Sequence, residues 1–301
     1  MKRILLLAAL ILIGSNAFAA PLKVVTTIAD MASLTKEIGG DRVDAQSIAR
    51  GYQDPHFVEP KPSFLLQLRN AELLEVVGLE LEIGWLPPLL DQSRNNNIRP
   101  GSKGYLDLSN GVEILDRPTG TVNRSMGDVH PLGNPHYWLD PANAVRMAIQ
   151  IERKLEELRP ADAAYFQQRL NAFKVKINDA NKRWVAALAP YRGAKIVTYH
   201  NSWPNFVRHF GLDVVGYVEP KPGVPPSPSH TFELINLMKA QNVKAIIMEP
   251  YFDVKTPQSI AERTGAKLVI LYPSVGGAKS GTDDYFQLFD YNIANLLKAL
   301  K

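Results

Sequence analysis

ADAAYFQQRLNAFKVKINDANKRWVAALA, residues 161–189, runs without a proline or a glycine. Apolar Phe166, Leu170, Phe173, Val175, Ile177, Trp184, Val185 and Leu188 are interleaved with charges, which predicts one continuous helix. At 1.5 Å per residue such a helix spans about 43 Å, longer than an ordinary globular helix. It sits at mid-chain between two stretches that each alternate strand and helix, so it reads as a rigid spine rather than a flexible linker.

Upstream of it, apolar runs at 22–28, Val43–Ile48 and Leu73–Val77 predict strands, with helices over Met31–Ile38, Pro62–Leu68 and Ala142–Leu158. Residues 116–135 are rich in turn formers and predict a surface loop. Downstream, strands are expected at 194–200, Leu212–Val218, 243–250 and 266–273. The helices between and after them are Ser202–Phe210, one opening near Ser229, Pro257–Thr264 and 283–300. The expected fold class is α/β: two α/β lobes with parallel-type sheets joined by a long rigid helix. The expected organisation is a signal peptide over 1–20, an N-terminal lobe over 21–160, the linking helix over 161–190 and a C-terminal lobe over 191–301.

Residues 1–20 carry Lys2 and Arg3, then a continuous apolar stretch, then small residues at Ala17, Ala19 and Ala20. This is the three-part pattern of a cleaved secretory leader, and the apolar run is short for a membrane span. Removing Lys2 and Arg3 lowers the formal net charge from +4 to +2. With charge that mild and no long basic run after the leader, there is no electrostatic case for nucleic acid, and none is expected as a partner. Nothing after residue 20 reads as membrane-spanning. The chain has no cysteine, which excludes disulfides, thiolate ligands, a cysteine nucleophile and a lipid anchor on a leader cysteine. Any tight metal site must therefore be built from nitrogen and oxygen.

There are six histidines. His56, in GYQDPHFVEP, follows an apolar strand; His136, in GNPHYWLDP, follows the turn-rich loop; His200 ends the strand run IVTYH. Polar groups at the carboxyl ends of strands are where α/β sheets present ligands. Three converging neutral imidazoles suit zinc and other late first-row metals, whereas three loop histidines in ordinary hydrogen bonds are the bland alternative. Each imidazole would need an orienting partner, for which Asp54, Asp140 and Asn201 are candidates, with helix or turn capping as their other role. His130, six residues before His136, is either a transient capture group or solvated. His209, on a helix, and His230, at a helix start capped by Ser229 or Thr231, read as structural. Glu59 is close enough in sequence to His56 to reach the same pocket. Glu249, ending AIIMEP, is costly to bury unpaired and reads as a supporting group.

Together DPHFVEP, NPHYWLDP, VTYHNSWPNFVRHFGL and VKAIIMEPYF resemble the solute-binding proteins of bacterial zinc and manganese import systems, the cluster A-I or zinc-uptake/treponemal-type family. The resemblance covers essentially the whole chain after the leader. It implies two α/β lobes joined by one long helix, metal bound between them, and docking on an ABC-type permease in the inner membrane driven by a cytoplasmic ATPase. By position it implies His56, His136 and His200 as metal ligands, with histidine at the third position matching the zinc-type pattern. Zn2+ is the expected cargo, with Mn2+, iron, cobalt and nickel as alternatives. Many relatives supply an aspartate from the loop after the last C-terminal strand. Here that loop reads Tyr272-Pro273-Ser274, so the fourth position falls to Ser274, water, Glu59, or Asp283 or Asp284 farther along. The expected location is the periplasm.

Two other functions compete. A three-histidine site with a bound water is also a catalytic zinc arrangement, so an extracellular zinc hydrolase using Glu59 or Glu249 as base is one. No HExxH, GxSxG or cofactor fingerprint supports it, and no catalytic residue is assigned. Some relatives in the resembled family are described as adhesins, which makes a metal-binding adhesion or structural protein the other.

Overall fold

The computed structural model describes residues 20–301 except 121, 124, 125 and 128, so the leader expected over 1–20 falls outside the described residues but for Ala20. The N-terminal half contains β1 (Leu22–Thr26), α1 (Ala29–Gly39), β2 (Val43–Ser47), α2 (Pro62–Asn70), β3 (Leu73–Val76), α3 (Leu86–Ser93), β4 (Tyr105–Asp107) and α4 (Pro141–Leu158). The spine is α5 (Ala163–Leu188). The C-terminal half contains β5 (Lys195–Thr198), α6 (Pro204–Phe210), β6 (Asp213–Tyr217), α7 (Pro228–Ala240), β7 (Ala245–Met248), α8 (Lys255–Thr264), β8 (Lys267–Ile270) and α9 (Tyr285–Leu300).

Each half forms one four-stranded parallel sheet, in the order β2-β1-β3-β4 and β6-β5-β7-β8. In both, the first strand of the half lies inside the sheet and the chain moves outward to either side. That arrangement gathers the loops at the carboxyl ends of the strands along one edge, where a ligand can be held between the lobes. The short α3 and β4 were not legible in the sequence. Leu86-Pro87-Pro88 reads as a helix breaker, yet the prolines occupy the first turn, where a missing N–H costs nothing. β4 is a three-residue edge strand with no room for a period.

Helix α5 buries Phe166, Leu170, Phe173, Ile177, Ala180, Trp184 and Leu188, a stripe advancing three or four residues at a time. It packs on α1 and α4 of one lobe and on α9 of the other. Trp184 stacks on Phe289 at 4.9 Å and donates its indole N–H to Asp290 at 2.6 Å. Each large side chain buried in this way stabilises by about 1.5–3 kcal/mol, so one helix ties both lobes into a shared core. Val175, in the expected apolar set, faces solvent instead.

The lobes also meet directly. A Cβ on Gly51 would collide with the backbone of Val275 and Gly276, so the loop after β2 and the loop after β8 touch main chain to main chain. Ser33 accepts from the Tyr285 backbone N–H at 3.1 Å, and Trp138 donates to the Pro273 carbonyl at 2.8 Å. Among the described residues, no helix is long and apolar enough to cross a membrane.

One buried carboxyl in β3 makes stability depend on pH. Burial pushes Glu75 up to about 8, only partly offset by the Thr35 hydroxyl that donates to it at 2.7 Å. Below its ordinary value of 4.5 the group is protonated folded or unfolded and opposes nothing. As pH rises toward about 8 the unfolded chain ionises first, and stability is lost. Glu75→Gln should flatten that decline. Thermal melts should show the variant above the parent at pH 8, by about 2–4 °C per kcal/mol, and level with it at pH 4.

Candidate metal centre

The loop after β2 carries Asp54-Pro55-His56, and the stretch before α4 carries Asn134-Pro135-His136. Both fold in the same way. Asp54 Oδ1 accepts from the His56 backbone N–H at 3.0 Å and from its Nδ1 at 2.7 Å. Asn134 Oδ1 accepts from the His136 backbone N–H at 2.9 Å and Nδ1 at 3.1 Å. An acceptor two residues upstream thus fixes both the turn and the ring. His200 lies two residues past the end of β5, with its Nδ1 2.8 Å from Glu219 Oε2 at the end of β6.

The three rings converge. Their centroids stand 5.2 Å (His56–His136), 5.6 Å (His56–His200) and 5.6 Å (His136–His200) apart. One ligand atom from each lies within 4.8 Å of the other two. Since every Nδ1 is turned outward to an acceptor, Nε2 is left facing inward; for His56 and His136 it is buried and has no hydrogen-bond partner. Buried polar atoms without partners are uncommon, and a set of them aimed at one point is the signature of an ion site. Three imidazole nitrogens gathered this closely match the donor set that zinc takes, at bonds of about 2.0–2.1 Å.

Electrostatics acts on the rings in two directions. Burial, then the charge on His56, holds His136 well below the ordinary imidazole value, and the same causes bring His130 down to about 4. His200 goes the other way: burial lowers it, but the Glu219 hydrogen bond and the Glu249, Glu219 and Asp54 charges outweigh that and raise it. Asp54 is opposed by burial yet held low by its bond to His56. Burial raises Glu249 to about 7.

Of the other residues singled out in the sequence, His130 stands at the cluster. Its ring centroid is 5.3 Å from that of His56, its Nε2 is buried without a partner, and its Nδ1 donates to the Leu79 carbonyl at 3.2 Å. Leu79 belongs to Gly78-Leu79-Glu80, where three successive residues have φ of 74°, 55° and 67°. For the two with side chains this is strained backbone. Glu82 holds it, accepting from Val77 N at 2.7 Å, Gly78 N at 3.2 Å and the Thr27 hydroxyl at 2.6 Å.

The remaining candidates lie elsewhere. Glu59 and Asp283 are exposed, and Asp284 caps α9 through the backbone N–H groups of Phe286 and Gln287. Ser274 is buried and hydrogen-bonded to Asp30. Asp140 does not reach the three imidazoles: it caps α4 and accepts from His209 Nδ1 at 2.7 Å, while His209 Nε2 meets Asn181 at 2.7 Å. Asn201 contacts Asp116 and Tyr217. Glu249 accepts from the Trp203 indole at 2.9 Å, and its charge helps raise His200. At α7 the cap is Ser227, ahead of the expected Ser229 or Thr231 in the chain. Sequence reasoning passed over two orienting residues, Asn134 and Glu219. Both had a signal: Asn134 repeats the Asx-Pro-His spacing of Asp54, and Glu219 precedes a proline in VEP as Glu249 does in MEP.

A two-lobed α/β protein with a rigid connecting helix and a buried imidazole cluster in its cleft is a metal-capturing solute-binding protein. The family model "Zinc-uptake complex component A periplasmic" matches residues 24–299, and the chain belongs to that family. Its members are non-catalytic periplasmic proteins that bind a divalent transition metal for ABC-type uptake. A zinc-bound 138–173 deletion mutant of ZnuA superposes with a TM-score of 0.77 at 26% identity, covering 93% of this chain and 98% of that one. The manganese ABC transporter substrate-binding lipoprotein PsaA of Streptococcus pneumoniae is 25% identical over 286 residues, 93% of this chain and 89% of that protein. A mutant of the laminin-binding adhesin of Streptococcus agalactiae superposes with a TM-score of 0.75 at 25% identity, covering 93% and 100%.

Orienting partners and capping residues should separate in experiment. Asp54→Ala and Glu219→Ala should each weaken zinc binding about 10–100-fold in competition titrations. Asp140→Ala should change zinc affinity less than either and lower the melting temperature, through loss of the His209 contact and of a helix cap worth about 1 kcal/mol.

Proposed function

We propose that this protein captures zinc in the cleft between its lobes through His56, His136 and His200 and presents it to an ABC-type permease in the inner membrane. The observation that carries the reading is the inward convergence of three imidazoles whose opposite nitrogens are all tied to acceptors. An all-nitrogen donor set suits zinc, whereas manganese prefers carboxylate and water oxygen. The charge balance supports it too: the outer carboxylates Asp54 and Glu219 together offset a divalent ion bound by neutral rings.

His130 is the fourth donor in this reading. It borders the same cavity of about 390 Å³ as His136 and His200, and its free nitrogen is buried. It comes from the loop before His136, so its arrival on the ion would close the cleft from the N-terminal side. No proton transfer or bond cleavage is involved. Bound metal favours one arrangement of loops and lobes, and the permease discriminates loaded from empty protein by that difference. The spine α5 restricts the difference to small tilts. The leader pattern of residues 1–20 supports export with removal of that segment.

The test is a competition titration of demetallated protein with zinc and manganese, reading bound metal by mass spectrometry. One zinc per chain, retained over manganese and lost on replacing His56, His136 or His200 with alanine, is expected. His130→Ala should keep the stoichiometry at reduced affinity. Weak, multiple binding insensitive to the three substitutions would overturn the site.

A further inference from the structure

The two Asx-Pro-His turns differ in one respect. Asp54 is partly exposed and serves a single histidine. Asn134 is buried, and its amide works in two directions. Its Oδ1 accepts from the backbone N–H and Nδ1 of His136; its Nδ2 donates at 2.8 Å to the backbone carbonyl of Asn201, the residue after His200. The amide orientation is fixed by chemistry, since N–H donors stand on one side and a carbonyl on the other. From this geometry we infer that Asn134 is a positioning residue for two metal ligands at once, tying the ring of His136 in one lobe to the segment that carries His200 in the other. The inference rests on the metal-capture reading above.

The receiving end is itself held. The Asn201 side chain donates from Nδ2 to Asp116 at 3.0 Å and accepts the Tyr217 hydroxyl at 3.1 Å. Asp116, from the loop that leads to Asn134, stands at φ 51°, a left-handed conformation that asparagine and aspartate adopt more readily than most side chains. Asn134 N in turn donates to the Leu115 carbonyl at 2.8 Å. Residues 115–116 and 134 of one lobe and 201 and 217 of the other therefore close a ring of hydrogen bonds beside His136 and His200. None of the bonds in this ring uses an inward-facing imidazole nitrogen, so the ring can form independently of an ion and set the separation of the two imidazoles. Such preorganisation lowers the ordering cost of binding.

The same geometry says why position 134 carries an amide where position 54 carries a carboxylate. A carboxylate can orient the imidazole but cannot donate to a carbonyl. It would also add a third negative charge where Asp54 and Glu219 already offset a divalent ion, and buried unbalanced charge is costly. Only the amide meets both demands.

Two substitutions divide the two roles. Asn134→Asp keeps the acceptor for His136 and removes the donor to Asn201; Asn134→Ala removes both. Hydrogen exchange of the metal-free protein, read on peptides covering residues 199–203, should show protection in the parent and in Asp54→Ala, and its loss in both Asn134 variants. Zinc affinity should stay within about tenfold of the parent in Asn134→Asp and fall further, by about 10–100-fold, in Asn134→Ala, the range for a missing orienting group. Parent-like exchange at 199–203 in Asn134→Asp would overturn the inference, as would equal losses of affinity in the two variants. The exchange experiment uses protein without metal, so a failure of zinc capture would appear in the titration of the parent and be told apart from a failure of the tie.

Discussion

Everything at the cleft depends on how one short stretch, Asn134–Asp140, is buried between the lobes. Asn134 and His136 face the imidazole cluster. Tyr137 donates to the Val77 carbonyl at 2.8 Å, at the end of β3. Trp138 reaches the Pro273 carbonyl after β8, and its own carbonyl accepts the Tyr285 hydroxyl at 2.7 Å. Asp140 starts α4 and receives His209 from α6. Tyr137, Trp138 and Leu139 are almost fully buried, so their apolar surface pins a chain whose polar atoms reach into both sheets. The backbone at His136 cannot move without disturbing the carboxyl ends of strands in both halves.

That constraint explains the character of the candidate metal centre. Of the four imidazoles gathered there, His56 and His136 are held by acceptors two residues upstream, while His200 and His130 are held by a carboxylate and a backbone carbonyl 19 and 51 residues away. The partners decide which nitrogen of each ring carries a proton, and so which nitrogen is left for an ion. Burial lowers the imidazole pKa of His130 and His136, while the carboxylates Asp54 and Glu219 place negative charge behind His56 and His200. The strained turn at Gly78–Glu80, held by the buried Glu82 carboxyl, extends the same economy of placement to His130.

Much of this was legible in the linear chain. The proline- and glycine-free run around α5 announced the spine, and the strand–helix alternation announced two parallel sheets. His56, His136 and His200 stood out because each follows a strand or a turn in a short polar motif. The shortest elements, α3 and β4, were not legible, because three to eight residues carry no usable period. Asp140 and Asn201 drew attention for their nearness in sequence to a histidine. In the fold, Asp140 turns to α4 and His209, and the Asn201 side chain to Asp116 and Tyr217. The side chain of a neighbour in sequence need not share a direction, so adjacency did not predict contact.

By itself, then, the sequence determined the class of fold and the chemistry available. Helix length and strand alternation are local properties of apolar spacing, and without cysteine the site had to be nitrogen and oxygen. Tertiary structure alone decided which groups meet: Glu219 with His200, Leu79 with His130, Asn134 with Asn201. These pairs lie 19, 51 and 67 residues apart, and no local pattern encodes them. They form because two sheets packed on one rigid helix bring the carboxyl ends of their strands to a common edge.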